Sequence, residues 1–246
     1  MIKFFRKIRF TLMETGKTGK YFKYAIGEIV LVVIGILIAL QINDWNENRK
    51  NKTLVHNYKI SLIEDLAKDS MEIMESIRGT KQDSAAIKNY ETRVSKPTAT
   101  LDTLLKIARY EYDFLIWIHP DFNDDTYSVL SSTGNISLFS EELIKDLNIL
   151  NNLQETANFS TTQTFVGYVD ILRAYSLKYP IPFQSNAIQK DSKIADLIWN
   201  NASLVNHATE FNAILLSKGD AYRLSLRHLP LVLEKTNELL TKLRKQ

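Results

Sequence analysis

Cysteine is absent from the 246 residues. That excludes a disulfide framework and all thiolate chemistry. Histidine is scarce and scattered: His56, His119, His207 and His228 form neither an HExxH motif nor any cluster of metal-ligand spacing. No window alternates polar and apolar residues with period two, which argues against half-buried strands. Internal repeats and low-complexity linkers are missing too. Glycine and proline are both absent from Ile36 to Arg78, so nothing in that stretch forces a helix to stop.

Charge is just as uneven. Seven basic side chains (Lys3, Arg6, Lys7, Arg9, Lys17, Lys20, Lys23) stand against Glu14 in residues 1–23, a net of +6, while the whole chain carries only +3. The rest of the chain is therefore mildly acidic, and nucleic acid is not an expected partner. Directly after this basic segment comes Tyr24–Ile42, YAIGEIVLVVIGILIALQI, with Glu28 as its one acid. Its 19 residues would span about 28 Å as a helix, close to the hydrocarbon thickness of a bilayer. A soluble helix would show a polar stripe, and between Ile29 and Leu40 there is none. The stretch reads as a transmembrane helix. The chain continues QINDWNE without a small-x-small cleavage site, so an uncleaved anchor is expected rather than a signal peptide. Positive charge on its N-terminal side predicts a cytoplasmic N-terminus, with the large C-terminal part carried across the membrane. Tyr21, Tyr24 and Trp45 are candidate interface anchors. Residues 2–13 could form an amphipathic helix with Phe4, Phe5, Ile8 and Leu12 on one face, or an unstructured basic tail. Gly16 and Gly19 are expected to break that pattern before the membrane segment.

Beyond the span the expected organisation is a juxtamembrane stalk over 43–53 and a helical domain over 54–246, all-α in class. Apolar spacing through Val55, Tyr58, Leu62, Leu66, Ile73 and Ile77 allows the membrane helix to run on into the first helix of the bundle. A second helix is expected from the Thr100 N-cap to His119–Pro120, burying Leu101, Leu104, Leu105, Ala108, Tyr112 and Leu115. Asp121–Asn135 reads as a loop and a short helix closed by Gly134. Ser140 should cap a third long helical region, one helix or two divided near Asn158–Thr164, and Tyr179–Phe183 should end that region. A fourth region starts at Asp191. A last helix is expected after Gly219–Asp220, kinked or divided by Pro230.

The wording of the N-terminal third is more specific than a generic span. Gly19-Lys20-Tyr21, Tyr24-Ala25-Ile26-Gly27-Glu28-Ile29, Gln41-Ile42-Asn43 and Trp45-Asn46-Glu47 together resemble the opening of an uncharacterised family of bacterial single-pass envelope proteins, domain-of-unknown-function family 6090. Leu130-Ser131-Ser132-Thr133-Gly134-Asn135 is similar to a turn of that family. The resemblance implies an N-terminal anchor and a helical domain outside the inner membrane. It implies no activity, cofactor or catalytic residue.

Few residues stand out as chemistry. Glu28 would lie inside the hydrocarbon region, where a carboxylate costs on the order of 3 kcal/mol at the centre and less near the edge. It either snorkels toward Lys20 and Lys23, makes a polar contact, or marks an ion-coupled role. Gly27, Gly35 and Ala39 give a small-residue face on which a second membrane helix could dock, in a homo-oligomer or with a membrane-protein partner. Gly16-Lys17-Thr18 lacks the upstream glycine of a phosphate loop. Asp121, Asn123 and Asp125 start like a calcium loop but lack its glycine and terminal glutamate. Tyr110, Tyr112, Phe114 and Trp117 are spread around their expected helix, part core and part candidate groove. No catalytic, cofactor-binding or metal-ligating residue is assigned, and no cofactor is expected. The role that fits is a membrane-anchored periplasmic binding, sensing or scaffolding module. The alternatives are a tethered envelope enzyme, or an accessory subunit of a transport or ion-driven complex.

Overall fold

The computed structural model describes Arg6, Phe10 and residues 18–183 and 187–245, apart from the side chains of Thr18, Lys20, Tyr21 and Tyr24. Two of the expected membrane anchors, Tyr21 and Tyr24, and the proposed amphipathic face of Phe4, Phe5, Ile8 and Leu12 therefore fall outside the description. Among the described residues there are six α-helices and no strand. They are α1 (Thr18–Val94), α2 (Leu101–Lys106), α3 (Asp125–Ser132), α4 (Glu141–Ser176), α5 (Lys193–Asn200) and α6 (Leu204–Lys245). A π-turn, Ile107–Glu111, extends α2, and a 3-10 turn, Asn135–Leu138, precedes α4. The chain divides into two compact units, Met1–Asn57 and Tyr58–Gln246.

In the first unit the described part of α1 is apolar and open on all sides. Side chains from Ile26 to Ile42 are exposed, apart from the half-buried Glu28, and Gly27, Gly35 and Ala39 with them. A Cβ added at Gly27 or Gly35 would meet nothing within 4 Å. Among the described residues α1 is the one helix long and apolar enough to cross a membrane, with mean hydropathy 2.6 in its apolar window and none of that window buried. The helix begins at Thr18, so Gly19 lies within its first turn and does not delay it. Nor does the polar stretch after Ile42 interrupt it. The expected continuity of the apolar helix with the first helix beyond it is what α1 shows.

The second unit is built on three long helices. Ser70 of α1 bonds Asn237 of α6, and Asp83 bonds Lys218, so these two helices run antiparallel. Lys178–Glu210 at one end, with Lys242–Glu142 and Lys242–Asp146 at the other, sets α4 antiparallel to α6 as well. One apolar core joins Leu62, Leu66, Ile73 and Ile77 of α1 to Leu143, Leu147 and Leu150 of α4 and Leu229, Val232 and Leu239 of α6. A second, rich in aromatics, holds Ile87, Ile107, Tyr112, Phe114, Tyr168, Tyr175, Trp199, Phe211 and Tyr222. Local chemistry fits the ends. Ser140 Oγ accepts from Leu143 N at 3.3 Å, Ser192 Oγ accepts from Ala195 N at 3.1 Å, and Gly134 at φ +73° takes the left-handed turn after α3.

Four expectations need correction. The second helix does not reach His119: helical structure stops at Glu111, and Tyr112–Asp124 carries no regular element. Leu115, expected inside, is 64% exposed, and Leu101 is exposed too. The third long helix is undivided from Glu141 to Ser176. The last break falls at Asn201–Ser203 rather than at Gly219–Asp220, and α6 continues through Pro230. Pro230 is exposed between the buried Leu229 and Val232, so its ring stays clear of the core while the apolar stripe remains seated.

Gly79 sits under Trp117. A Cβ there would lie 2.6–2.8 Å from three indole carbons. Trp117 is half exposed and can swing outward. Alanine gains about 1 kcal/mol of helix propensity over glycine, which offsets the lost ring contact. Gly79→Ala is therefore expected to leave stability within about 1 kcal/mol of the parent while red-shifting Trp117 emission. Fluorescence in a Trp45→Phe background, where Trp199 stays buried, checks this.

Candidate functional site

The densest chemistry in the second unit surrounds a lysine. Along α6 the buried stripe reads Phe211, Ile214, Leu215, Lys218, Tyr222, Ser225 and Leu229, so helical spacing carries Lys218 into the core. Its side chain is 0% exposed. Nζ lies 2.6 Å from Asp83 Oδ2 of α1 and donates to the Asp113 carbonyl at 2.7 Å. The ammonium also sits 5.0 Å from the Tyr112 ring centroid and 5.6 Å from that of Tyr222. Burial pushes Lys218 below the ordinary lysine value, and the Asp83 carboxylate opposes that shift. Tyr222 donates its hydroxyl to Asp83 and accepts from Trp117 N at 3.0 Å. Tyr168 of α4 donates to the Phe114 carbonyl at 2.8 Å. Burial raises the Tyr112, Tyr168 and Tyr222 phenols well above the usual tyrosine value, so all three stay protonated.

Asp69 and His207 are also fully buried. Asp69 of α1 accepts from Asn123 N at 2.9 Å, Asn123 Nδ2 at 2.6 Å and Gln154 Nε2 at 3.0 Å. Burial raises its carboxyl above the ordinary range despite these bonds. The cavity beside it, about 20 Å³ between α1, α3 and α4, has room for about one water molecule. His207 is 0% exposed, enclosed by Tyr175, Tyr179, Trp199 and Phe211, with Nε2 3.0 Å from Tyr175 Oη. Among the described residues no group of three or more His, Asp or Glu is placed to hold a metal ion.

Burial lowers both His207 and His119 to about 4. A histidine near 6.5 in the unfolded chain and near 4 when folded binds fewer protons folded, so its contribution to stability is complete above about 6.5 and is lost as pH falls toward 4. The full swing for one such group is about 3 kcal/mol. Urea melts at pH 7 and pH 4.5 are expected to show this loss, and His207→Phe to remove about half of it, because His119 contributes with the same sign.

The residues singled out in the sequence are not gathered into one site. Tyr112 and Phe114 are core, meeting edge to face at 4.8 Å. Tyr110 and Trp117 are exposed, the first under the Arg109 guanidinium at 4.9 Å and the second over Gly79. Trp45 is exposed with the Arg49 guanidinium 5.5 Å from its ring. Glu28 is half-buried beside the exposed Gly27. Lys218, Asp83, Tyr168, Tyr222, His207 and Asp69 were not expected. Their signal was a polar residue at an apolar-stripe position.

Residues 28–96 match a family of unknown function, DUF6090. The DUF6090 stretch takes in Glu28-Ile29, Gln41-Ile42-Asn43 and Trp45-Asn46-Glu47 and runs on to the end of α1, which is further than the resemblance read from the sequence. Gly19-Lys20-Tyr21, Tyr24-Ala25-Ile26-Gly27 and Leu130–Asn135 lie outside it. It contains Asp69 and Asp83 but none of their partners on α4 or α6. No curated protein and no solved structure matches the chain.

Proposed function

We propose that the chain is a single-pass protein of the bacterial inner membrane, with its basic N-terminal segment in the cytoplasm and its second unit in the periplasm as a helical binding, sensing or scaffolding module. The observation that carries this reading is the apolar stretch of α1: no residue of its apolar window is buried by the rest of the chain. Left in water, such a surface would be an extended apolar patch, and a bilayer removes that cost. The +6 balance of residues 1–23 supplies the orientation through the preference of basic segments for the cytoplasmic side.

Binding rather than catalysis is the role that the second unit supports. Three of its buried polar side chains, Tyr168, Lys218 and Gln154, bond the main chain or another side chain, which is the chemistry of holding segments in place. A periplasm-active enzyme reporter fused after Gln246 is expected to be active, and a fluorescent protein that matures only in the cytosol is expected to stay dark. The reverse result would remove the assignment of compartment. Crosslinking with mass spectrometry on native membranes is expected to recover a protein partner or a second copy; recovery of neither would remove the binding role.

A further inference from the structure

Tyr112–Ile118 lies on the second unit as a bound peptide would. Tyr112 and Phe114 point inward, at 4% and 2% exposure, and Ile116 packs partly beneath. Asp113, Leu115 and Trp117 face out. Such alternation belongs to an extended chain with one face seated. Its main chain is gripped at three points by fully buried side chains of α4 and α6. Lys218 donates to the Asp113 carbonyl, Tyr168 donates to the Phe114 carbonyl, and Tyr222 accepts from Trp117 N. These bonds read backbone, not sequence. The rings of Phe211, Tyr175 and Tyr90 form the walls against Tyr112 and Phe114. Main-chain bonds for affinity and alternate side-chain pockets for selectivity are the general physics of extended-peptide recognition.

We infer that this trough is a binding site for an extended peptide with aromatic or large apolar side chains at alternate positions, occupied in cis by the chain's own residues 112–118. The inference deepens the binding-module reading and rests on it. The segment is a single layer at the surface, with Leu115 and Trp117 exposed along its outer row and Ile118 exposed where the alternation ends, so a competing peptide need displace only this strap. Once it lifts, the Lys218 ammonium and the Tyr168 and Tyr222 hydroxyls are left aimed at the vacated backbone positions. A partner strand meeting the same three groups restores what was lost, and the strap thereby holds the site closed against weaker ligands.

The test uses the full chain in detergent micelles and a fluorescein-labelled peptide of residues 110–119. The double variant Tyr112→Ala/Phe114→Ala removes both inward rings from the strap. It is expected to bind the peptide saturably and at least about 10-fold more tightly than the parent, which must first expel its own segment. Adding Lys218→Met should weaken that binding about 10-fold, and so should alanine at the peptide's Tyr112 and Phe114 positions. A helical, cooperatively melting double variant that binds no better than the parent overturns the inference, and so does equal binding of the alanine peptide. Should the double variant fail to fold, hydrogen exchange on the parent decides. Amides of residues 112–118 exchanging faster than the core of α4 and α6 show that the strap opens by itself, and exchange only with global unfolding overturns it. Failure here leaves the crosslinking result untouched, whereas absence of any native partner would count against the wider binding role.

Discussion

Lys218→Ala is expected to destabilise the second unit by about 3–5 kcal/mol, the cost of leaving one member of a buried ion pair without the other. Asp83 is left with the Tyr222 hydroxyl and no cation, at 16% side-chain exposure, and the Asp113 carbonyl loses its donor. In a unit of this size each kcal/mol moves the melting point by about 2–4 °C, so a drop of about 6–20 °C is expected by circular dichroism. Replacing both charges, Asp83→Leu with Lys218→Met, removes the uncompensated carboxylate and should recover most of the loss. Recovery stays incomplete by about 1–3 kcal/mol, since the Asp113 carbonyl lacks its donor and the Tyr222 hydroxyl, still accepting from Trp117 N, has no acceptor for its proton. That residue of instability distinguishes a lysine that holds the strap from one that only neutralises Asp83. A single variant melting within about 1 kcal/mol of the parent would show the ammonium to be dispensable to the fold.

The same stripe explains what the sequence could and could not reveal. Helices α1, α4 and α6 were legible because their apolar positions recur every three or four residues, and the ends of α3 and α4 because Gly134 and Ser140 carry their own local signals. The boundary of α2 was not legible. Leu115, Trp117 and Ile118 are apolar yet point outward, so the alternation of Tyr112, Phe114 and Ile116 was hidden by apolar residues on both faces. With both rows apolar, helical and extended readings score alike, and only the seating of Tyr112 and Phe114 against α4 and α6 decides. Gly219 and Pro230 misled for a related reason. Each is a strong local breaker, but α6 buries residues on either side of both, and tertiary packing outweighs the roughly 1–3 kcal/mol that glycine or proline costs a helix. Lys218 and Asp69 pass unnoticed in the sequence, and His207 enters only as one of four scattered histidines, because a charged or polar residue at a stripe position is ordinarily read as a gap in the stripe. Here each is fully buried and bonded to another part of the second unit. A lone polar residue in register with apolar neighbours four residues away is therefore the signal worth following in such chains.

Val33→Asp combined with Leu37→Asp is expected to release the protein from the membrane fraction. The two positions lie near the middle of Tyr24–Ile42 and one turn apart, and both are exposed in the described helix. Each aspartate at the centre of a span costs about 2.5–3.5 kcal/mol on insertion scales, together about 6 kcal/mol, or more than 10⁴-fold in the partition. Aspartate is short and cannot reach the headgroups as lysine or arginine can, so the cost is not relieved by snorkelling. The second unit carries its own cores, formed entirely within residues 62–243, and is expected to remain folded in the variant. Carbonate extraction should therefore leave the parent in the pellet and move the variant to the supernatant, with the thermal melt of the second unit unchanged. Release without loss of that melt would separate anchoring from folding: burial in lipid sets where the chain resides, and burial within residues 58–246 sets its shape. A variant still resisting extraction would mean that α1 is held by protein contacts at those positions, for which the exposed small-residue face of Gly27, Gly35 and Ala39 offers the nearest geometry.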